Sequence, residues 1–217
     1  MNNSNSNSPK VQWLVWGFLS LTILAITSAF IWTRLMSPGR PLPVISEVRP
    51  FTLTNQLGQS ITLDSLRGQV WIADIIFTRC PGPCAKLTRQ LAVIQNALRD
   101  EHDVRFVSLT ADPTYDTPAV LQRYAKRFGA NQERWHFLTG LKSDIYRMAH
   151  EDLKLIVEET KPEDRTNVED LFLHSTQLML VDRHGRVRAN FNGDFPEFDQ
   201  QTLPALAETV RALLKEK

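Results

Sequence analysis

The order of apolar and polar positions along the chain first separates a short tail from a long apolar run. Residues 1–10, MNNSNSNSPK, are polar and rich in Asn and Ser, whereas residues 11–33 carry no charged side chain over 23 positions. About 20 apolar residues suffice to cross the hydrocarbon core of a bilayer. Tryptophans lie near both ends of the run, where their rings would reach the headgroup level. The pattern predicts a transmembrane helix over residues 11–35.

This run is longer than the 7–15 apolar residues usual in a cleaved signal peptide, so we expect an uncleaved anchor. Charge does not predict the orientation of this helix, because positive groups lie at both of its ends. The amino terminus and Lys10 precede the apolar run, and Arg34 and Arg40 follow it. The tail has no Arg and so differs from a mitochondrial presequence. We expect residues 1–10 to be a cytoplasmic tail and the rest of the chain to lie outside the cytoplasm, partly on the family resemblance described below.

The next two segments predict a linker followed by a hairpin. Residues 36–50, MSPGRPLPVISEVRP, contain four prolines and a glycine, which is typical of a semi-extended linker. From Phe51 onward, apolar and polar residues alternate on both sides of the Asn-Gln-Leu-Gly turn that begins at Asn55. Such alternation around a turn predicts a β-hairpin. We expect the folded domain to span residues 51–217.

Strand and helix patterns alternate through this domain. Residues 70–77, VWIADIIF, form an apolar run short enough for a buried central strand. Leu87, Leu91, Ile94 and Leu98 then repeat at helical spacing. Further strand patterns follow at residues 104–110, 134–140 and 175–193, and further helix patterns at residues 117–128, 143–153 and 203–213. This order predicts an α/β sandwich with a central mixed sheet.

One charged segment interrupts the alternation. Residues 158–170, EETKPEDRTNVED, are highly charged and include a proline. We expect them to form a mobile surface loop.

Composition excludes several classes of function. With 25 basic and 24 acidic residues the net charge is +1, so the chain lacks the basic surface of a nucleic-acid-binding protein. Two cysteines are too few for a disulfide framework. They are also too few for a structural zinc site made of thiolates alone.

The two cysteines, Cys80 and Cys84, lie between the predicted central strand and the helix that follows, separated by Pro-Gly-Pro. A helix N-terminus and the neighbouring Arg79 both favour a thiolate over a thiol. We therefore expect the pair to deprotonate near neutral pH, as disulfide exchange and metal binding require. A structural disulfide or two inert buried thiols is the less favoured alternative. So small a disulfide loop removes little unfolded-state entropy, and inert thiols would have no reason to lie at a rigid helix entrance.

A histidine could complete a metal site. Four of the five histidines are most simply structural or solvated: His102, His136, His150 and His184. His174 differs because it follows the charged segment and precedes a core strand. We take His174 as the candidate third ligand, although a structural role stays open. Asp112 and Asp116 are interpreted as residues that cap a helix or lie at a strand end.

Three segments, in this order, resemble the Sco/SenC family. DIIFTRCPGPCAKLTRQL resembles its strand followed by Cys-x-x-x-Cys. VSLTADPTYDTPAVLQRYAKRF is similar to its Ser-x-Asp-Pro…Asp-Thr-Pro segment. HSTQLMLVDRHGRVRANFNG is similar to the segment that carries the family's histidine. The resemblance covers about residues 51–217.

The resemblance implies a thioredoxin-like domain tethered to a membrane. It implies that Cys80, Cys84 and His174 bind copper, as Cu(I) or Cu(II), and that the protein helps to assemble the dinuclear copper centre of cytochrome c oxidase. Ala85 departs from the family, many members of which have proline there, and so does Arg79, whose charge could weaken cation binding and favour redox chemistry.

Two functions follow from these observations. The first is a membrane-anchored copper chaperone whose partner is the copper-accepting subunit of cytochrome c oxidase or another copper enzyme. The alternative is a periplasmic thiol–disulfide oxidoreductase that uses Cys80 and Cys84. It is less favoured because no proline precedes the strand after His174, where such enzymes commonly have a cis-proline. We expect the bacterial inner membrane with the domain in the periplasm, rather than the mitochondrial inner membrane.

Overall fold

The computed structural model describes residues 9–36, 42–167, 171–194 and 198–216, without the side chains of residues 9–10, 33–36 and 174. The chain divides into two compact units, Met1–Pro41 and Leu42–Lys217. The predicted tail falls largely outside the described residues.

In the first unit, helix α1 spans Pro9–Met36. Its segment Val11–Trp32 is long and apolar enough to cross a membrane, by length and composition, and its side chains are not buried within the protein. The predicted apolar helix is therefore confirmed.

Among the described residues of the second unit, the strands are β1 (Ser46–Glu47), β2 (Thr52–Asn55), β3 (Ser60–Thr62), β4 (Val70–Ile76), β5 (Val104–Thr110), β6 (Trp135–Thr139), β7 (Val157–Glu159), β8 (Phe172–His174), β9 (Gln177–Val181) and β10 (Arg186–Asn192). The α-helices are α2 (Leu63–Leu66), α3 (Pro83–Ala97), α4 (Pro118–Arg127), α5 (Lys142–Arg147) and α6 (Leu203–Lys215), and Met148–Asp152 and Phe198–Thr202 are π-helical. Eight of these strands form one mixed sheet in the order β1-β10-β9-β4-β5-β6-β2-β3. Strands β4, β5 and β6 are parallel, and the other neighbours in this sheet are antiparallel. The predicted mixed sheet is confirmed.

Strand β4 lies in the middle of the sheet and determines where the cysteines are. All its residues are buried, which is typical of a strand covered on both faces. It pairs with β5 up to the register Ile76↔Thr110. The loops that follow β4 and β5 therefore leave the same edge of the sheet.

Helix α3 packs its apolar stripe into the core. Leu87, Leu91, Ile94 and Leu98 are all buried, as predicted, and the helix contacts α6. At Gly193, just after β10, a Cβ atom would lie 2.2 Å from Cδ1 of Leu87 and 3.0 Å from the carbonyl oxygen of Thr176. Glycine is therefore needed for this close approach.

Both predicted hairpins are present. Strands β2 and β3 pair antiparallel, and the Asn55 carboxamide oxygen accepts hydrogen bonds from the amides of Leu57 and Gln59. Strands β9 and β10 also pair antiparallel, and their turn is completed by Gly185, whose φ is 82°. That left-handed conformation favours glycine.

Residues 42–50, which the sequence assigns to the linker, are part of the second unit. Strand β1 pairs with β10 through Ser46↔Val187. The guanidinium group of Arg188, 3% exposed, donates to the carbonyl oxygen of Leu42 at 2.6 Å and to carboxylates of Asp182 and Glu216, both at 2.7 Å. This buried arginine ties both ends of the unit to the β9–β10 turn.

The predicted surface loop is described over residues 158–167, which are mostly exposed but begin with regular structure; residues 168–170 lie outside the described residues. Strand β7 pairs antiparallel with β8 through Val157↔His174, and Pro162–Asp164 form a 3-10 turn. The irregular loop predicted from residue 158 is wrong at its start, because Val157 is buried and holds β7 on the core.

Candidate metal centre

The two cysteines lie close together where β4 gives way to α3. The Cys80 amide donates to the carbonyl oxygen of Phe77 at 3.2 Å, which closes a turn. Pro83 is the first residue of α3, where its missing N–H is not needed, and Cys84 is the second. Cys80 is 2% and Cys84 0% exposed. Both are thiols rather than a disulfide, and their side chains are within hydrogen-bonding reach.

Burial controls the protonation of Cys84. It raises the pKa of this thiol strongly, and the adjacent Cys80 thiol and the Asp74 charge raise that pKa further. The Phe77 amide, which donates to Sγ of Cys84 at 3.4 Å, opposes the shift. The prediction that the helix N-terminus would make this thiol acidic is therefore wrong for Cys84, because loss of water outweighs the favourable dipole. A metal that binds here must displace the thiol proton.

A hydrogen-bonded pair supports the first turn of α3. The Thr88 hydroxyl donates to the carbonyl oxygen of Cys84 at 2.8 Å and lies 2.9 Å from the hydroxyl of Tyr124 on α4. Burial raises the pKa of Tyr124, and the nearby Cys84 and Asp74 raise it further. These contacts hold α3 and α4 together beneath the cysteines.

Asp116, in the loop after β5, holds the cysteine loop from the side. Its carboxylate is fully buried and accepts hydrogen bonds from the Thr78 amide at 3.1 Å and from the hydroxyls of Thr78 and Thr110. Burial raises the pKa of Asp116, although these hydrogen bonds act to lower it. The helix cap of α4 is Thr117. Asp116 is therefore neither the cap of α4 nor at the end of β5, which stops at Thr110, and the interpretation is corrected: its carboxylate binds Thr78, just before Cys80.

Asp112 has a related role toward Arg79. It accepts a hydrogen bond from the Arg79 guanidinium at 2.5 Å, and that guanidinium stacks 4.4 Å from the ring centroid of Tyr115. The charge predicted to act on the cysteines is thus offset by a carboxylate. These supports could have been found from sequence, because loops after neighbouring parallel strands meet at one edge of the sheet.

The backbone of His174 lies in β8, at the side of the cysteine loop. Phe172, two residues earlier, packs edge-to-face on Phe77 with ring centroids 5.1 Å apart, and Phe77 in turn donates to Cys84. The fold therefore brings the segment that carries position 174 to the cysteine loop.

The described side chains contain two of the three predicted ligands, Cys80 and Cys84. Among those side chains no three of His, Cys, Asp or Glu cluster at metal-binding distances. The side chains of the other four histidines, which are predicted to be structural or solvated, are among those described and take part in no such cluster. One of them, His136 in β6, has a pKa lowered by burial and by Arg105.

Comparison with known proteins identifies the family. The SCO1/SenC family model matches residues 42–211. The SCO1 protein homolog of Bacillus subtilis (strain 168) is 39% identical over 153 residues, which are 70% of this chain and 76% of that protein. The chain belongs to the SCO1/SenC family. The resemblance that the three motifs suggested is thereby confirmed.

Solved Sco structures have the same fold. BsSco, a Sco-family cytochrome c oxidase assembly protein with a disulfide switch, is 33% identical with a TM-score of 0.68, and the match covers 82% of this chain and all of that one. Bradyrhizobium japonicum ScoI, solved with copper bound, is 23% identical with a TM-score of 0.64, and the match covers 78% of this chain and 100% of the ScoI chain. The predicted thioredoxin-like fold is confirmed.

Proposed function

We propose that this SCO1/SenC protein binds copper as its cargo and delivers it to the dinuclear copper site of cytochrome c oxidase, or prepares the thiols of that site. The observation that carries the proposal is the pair of buried thiols, Cys80 and Cys84, at the end of the central strand and beside the segment that carries His174. Copper bound to ScoI, and the oxidase-assembly family of BsSco, support it.

The donor set suits copper. Two thiolates and an imidazole are soft ligands that match Cu(I), and the same set can hold Cu(II). We propose Cys80, Cys84 and His174 as the ligands. Three protein ligands leave one side of the metal open to a ligand from the acceptor, either the copper-accepting subunit of the oxidase or another copper enzyme.

The β7–β8 pair is suited to open and close the site. Among the described residues it forms a sheet of its own, separate from the eight-stranded sheet. It is held by the burial of Val157, by the contact of Phe172 with Phe77 and by the ion pair of Glu159 with Lys142 of α5. We propose that copper binding slows hydrogen exchange over residues 158–170, and unchanged exchange of this segment on copper addition would argue against that coupling.

Copper titration of the full chain, reduced and in an uncharged detergent, tests the proposal. We expect about one copper per chain, with thiolate-to-copper absorbance bands when Cu(II) is used. Cys80→Ala, Cys84→Ala and His174→Ala should each lose this binding. His184→Ala, which removes an exposed imidazole from the β9–β10 turn, is the matched control and should bind as the parent does. If His174→Ala bound copper as tightly as the parent, the three-ligand site would be wrong.

The thiol–disulfide oxidoreductase alternative is less well supported. It needs Cys80 as the attacking thiolate and Cys84 as the resolving thiol, and it has no use for His174 as a ligand. No cis peptide bond, the usual feature facing such cysteines, occurs among the described residues. Turnover of a disulfide substrate by His174→Ala at the rate of the parent would favour this alternative.

We further propose that α1 anchors the protein in the bacterial inner membrane, with residues 1–10 in the cytoplasm and the domain in the periplasm. The apolar length of α1 supports an anchor. Protease added to spheroplasts should digest the domain, and N-terminal sequencing of the mature protein should find residue 1 or 2. A mature chain that begins after residue 28 would identify a cleaved signal peptide instead.

A further inference from the structure

Beside the cysteine loop lies a pocket of about 240 Å³ that the proposed copper site does not use. Its lining includes Asp112, at the start of the loop after β5, and Glu159 and Phe172 of the β7–β8 pair. Arg79, the residue before Cys80, lines it as well. The pocket is therefore open to ligands that contact both the cysteine loop and the segment that carries position 174.

Charged side chains from separate elements converge on this pocket. Arg79, Lys142 and Arg165 contribute three positive charges, and Asp112 and Glu159 contribute two negative ones. Among the described residues, the lining therefore keeps one positive charge in excess. This excess positive charge would repel a cation and attract an anion.

The ion pairs within the pocket leave that excess on one side of it. Arg79 is matched by Asp112 at 2.5 Å. Lys142 and Arg165, by contrast, share a single carboxylate, Glu159, which lies 3.0 Å from Arg165. The hydrogen bond from Lys142 holds the pKa of Glu159 below its usual range. Glu159 is thus ionised at neutral pH and still balances only one of its two partners.

The size of the pocket limits the ligand. Pockets for drug-sized molecules occupy about 300–1,000 Å³, so this one suits a smaller group. Ala111, Leu171 and Phe172 add apolar surface to the lining, which can contact a short carbon chain. We propose that the pocket binds a carboxylate, held between Arg79 on one side and Lys142 and Arg165 on the other.

This inference goes beyond the proposed function and needs no copper. The carboxylate could belong to a free dicarboxylate or to an acidic side chain of a partner protein, since both offer the same chemistry. The full chain in an uncharged detergent, without metal, is titrated with malonate at constant ionic strength. Amide chemical shifts of Ala111, Thr114 and Leu171 report the binding. We expect saturable shifts at these three positions.

Two substitutions with opposite effects provide the test. Arg165→Gln removes the excess charge and should weaken malonate binding by up to about fivefold, the range of a partly exposed charge contact. Glu159→Gln removes the competing carboxylate and should tighten it by a similar factor. Arg165→Lys should bind nearly as the parent does. Arg211→Gln, which breaks a surface ion pair with Glu101, is the matched control and should change nothing.

The two sources of the carboxylate are distinguished by a second titration with an acetylated and amidated glutamate peptide. Tighter binding of malonate than of the peptide would assign the pocket to a free dicarboxylate, and the reverse to a partner's side chain. If Glu159→Gln and Arg165→Gln weakened binding alike, the charges would serve only to hold the β7–β8 pair, and the proposal would be overturned. Absence of saturable shifts in the parent would overturn it too, whatever the copper titration shows.

Discussion

Replacement of Asp116 by alanine is the most direct test of how the cysteine loop is held. The substitution removes the buried carboxylate that accepts hydrogen bonds from the Thr78 amide and from the hydroxyls of Thr78 and Thr110. The hydroxyls can rotate toward other acceptors, but the backbone amide of Thr78 cannot. Its position, two residues before Cys80, makes that amide the critical donor.

The magnitude follows from opposing contributions. A hydrogen bond to a charged group contributes about 1.5–3 kcal/mol, and a buried donor left unsatisfied costs about 1–3 kcal/mol. The opposing contribution is desolvation. The raised pKa of Asp116 shows that burial disfavours its charged carboxylate, so removing the carboxylate also removes part of this desolvation cost. We expect Asp116→Ala to lower the free energy of unfolding by about 2–4 kcal/mol. For a unit of this size that corresponds to a fall in Tm of roughly 4–16 °C.

Near-ultraviolet circular dichroism of the buried Trp71 and Trp135 reports the melting of the domain in detergent. The matched control is Asp100→Ala, because the Asp100 side chain is 91% exposed and its loss should change stability by no more than about 0.5 kcal/mol. Alkylation of the thiols below the melting temperature should be faster in Asp116→Ala than in either the parent or the control. Equal melting temperatures and equal alkylation rates for the two variants would refute the role assigned to Asp116.

Three further predictions concern stability. Arg188→Ala should lower the free energy of unfolding by about 1–3 kcal/mol, because the buried Asp182 loses one of its two arginine partners and keeps its ion pair with Arg186; a urea midpoint within error of the parent would contradict this. Gly193→Ala should lower it by about 1–3 kcal/mol through overlap with Leu87, and an unchanged thermal melt would show that Leu87 moves freely. Finally, the folded-state pKa of Asp116 is raised, so its carboxyl stabilises the fold at low pH and loses that effect as the pH rises through the pKa. The stability deficit of Asp116→Asn should therefore be larger near pH 4 than at pH 7 in urea titrations, and a deficit that shrinks at pH 4 would refute the shift.

Much of the fold follows from local patterns in the sequence. The apolar run over residues 70–77 contains β4, and the stripe that includes Leu87 and Leu91 is the buried face of α3. Thr117 and Pro118 begin α4 as their residue types predict. These signals are short-range, because the period of the apolar positions and the residues at the ends of an element act within a few positions.

The parts that sequence alone did not predict depend on long-range contacts. Strand β1 forms in a proline-rich segment because β10, more than a hundred residues away, offers an edge to pair with. Asp116 binds Thr78 because two parallel strands end at the same edge of the sheet. The prediction of an acidic Cys84 thiol fails for a similar reason. The local helix N-terminus favours a thiolate, but the burial that opposes it comes from the whole fold.

Burial of the two cysteines favours protonated thiols, whereas the copper binding proposed for them requires thiolates. Without metal, burial keeps Cys84 protonated, since a thiolate there would have lost its solvating water. A bound cation reverses this balance, because it attracts the thiolates and takes the place of their protons. The same position would thus suppress thiol chemistry in the metal-free protein and strengthen the binding of a soft metal ion. Release of that ion then requires a cover that can move. The β7–β8 pair is the candidate for such a cover. Among the described residues it shares no strand pairing with the eight-stranded sheet, so its movement would break the apolar contacts of Val157 and Phe172 with the core but no strand pairing of that sheet.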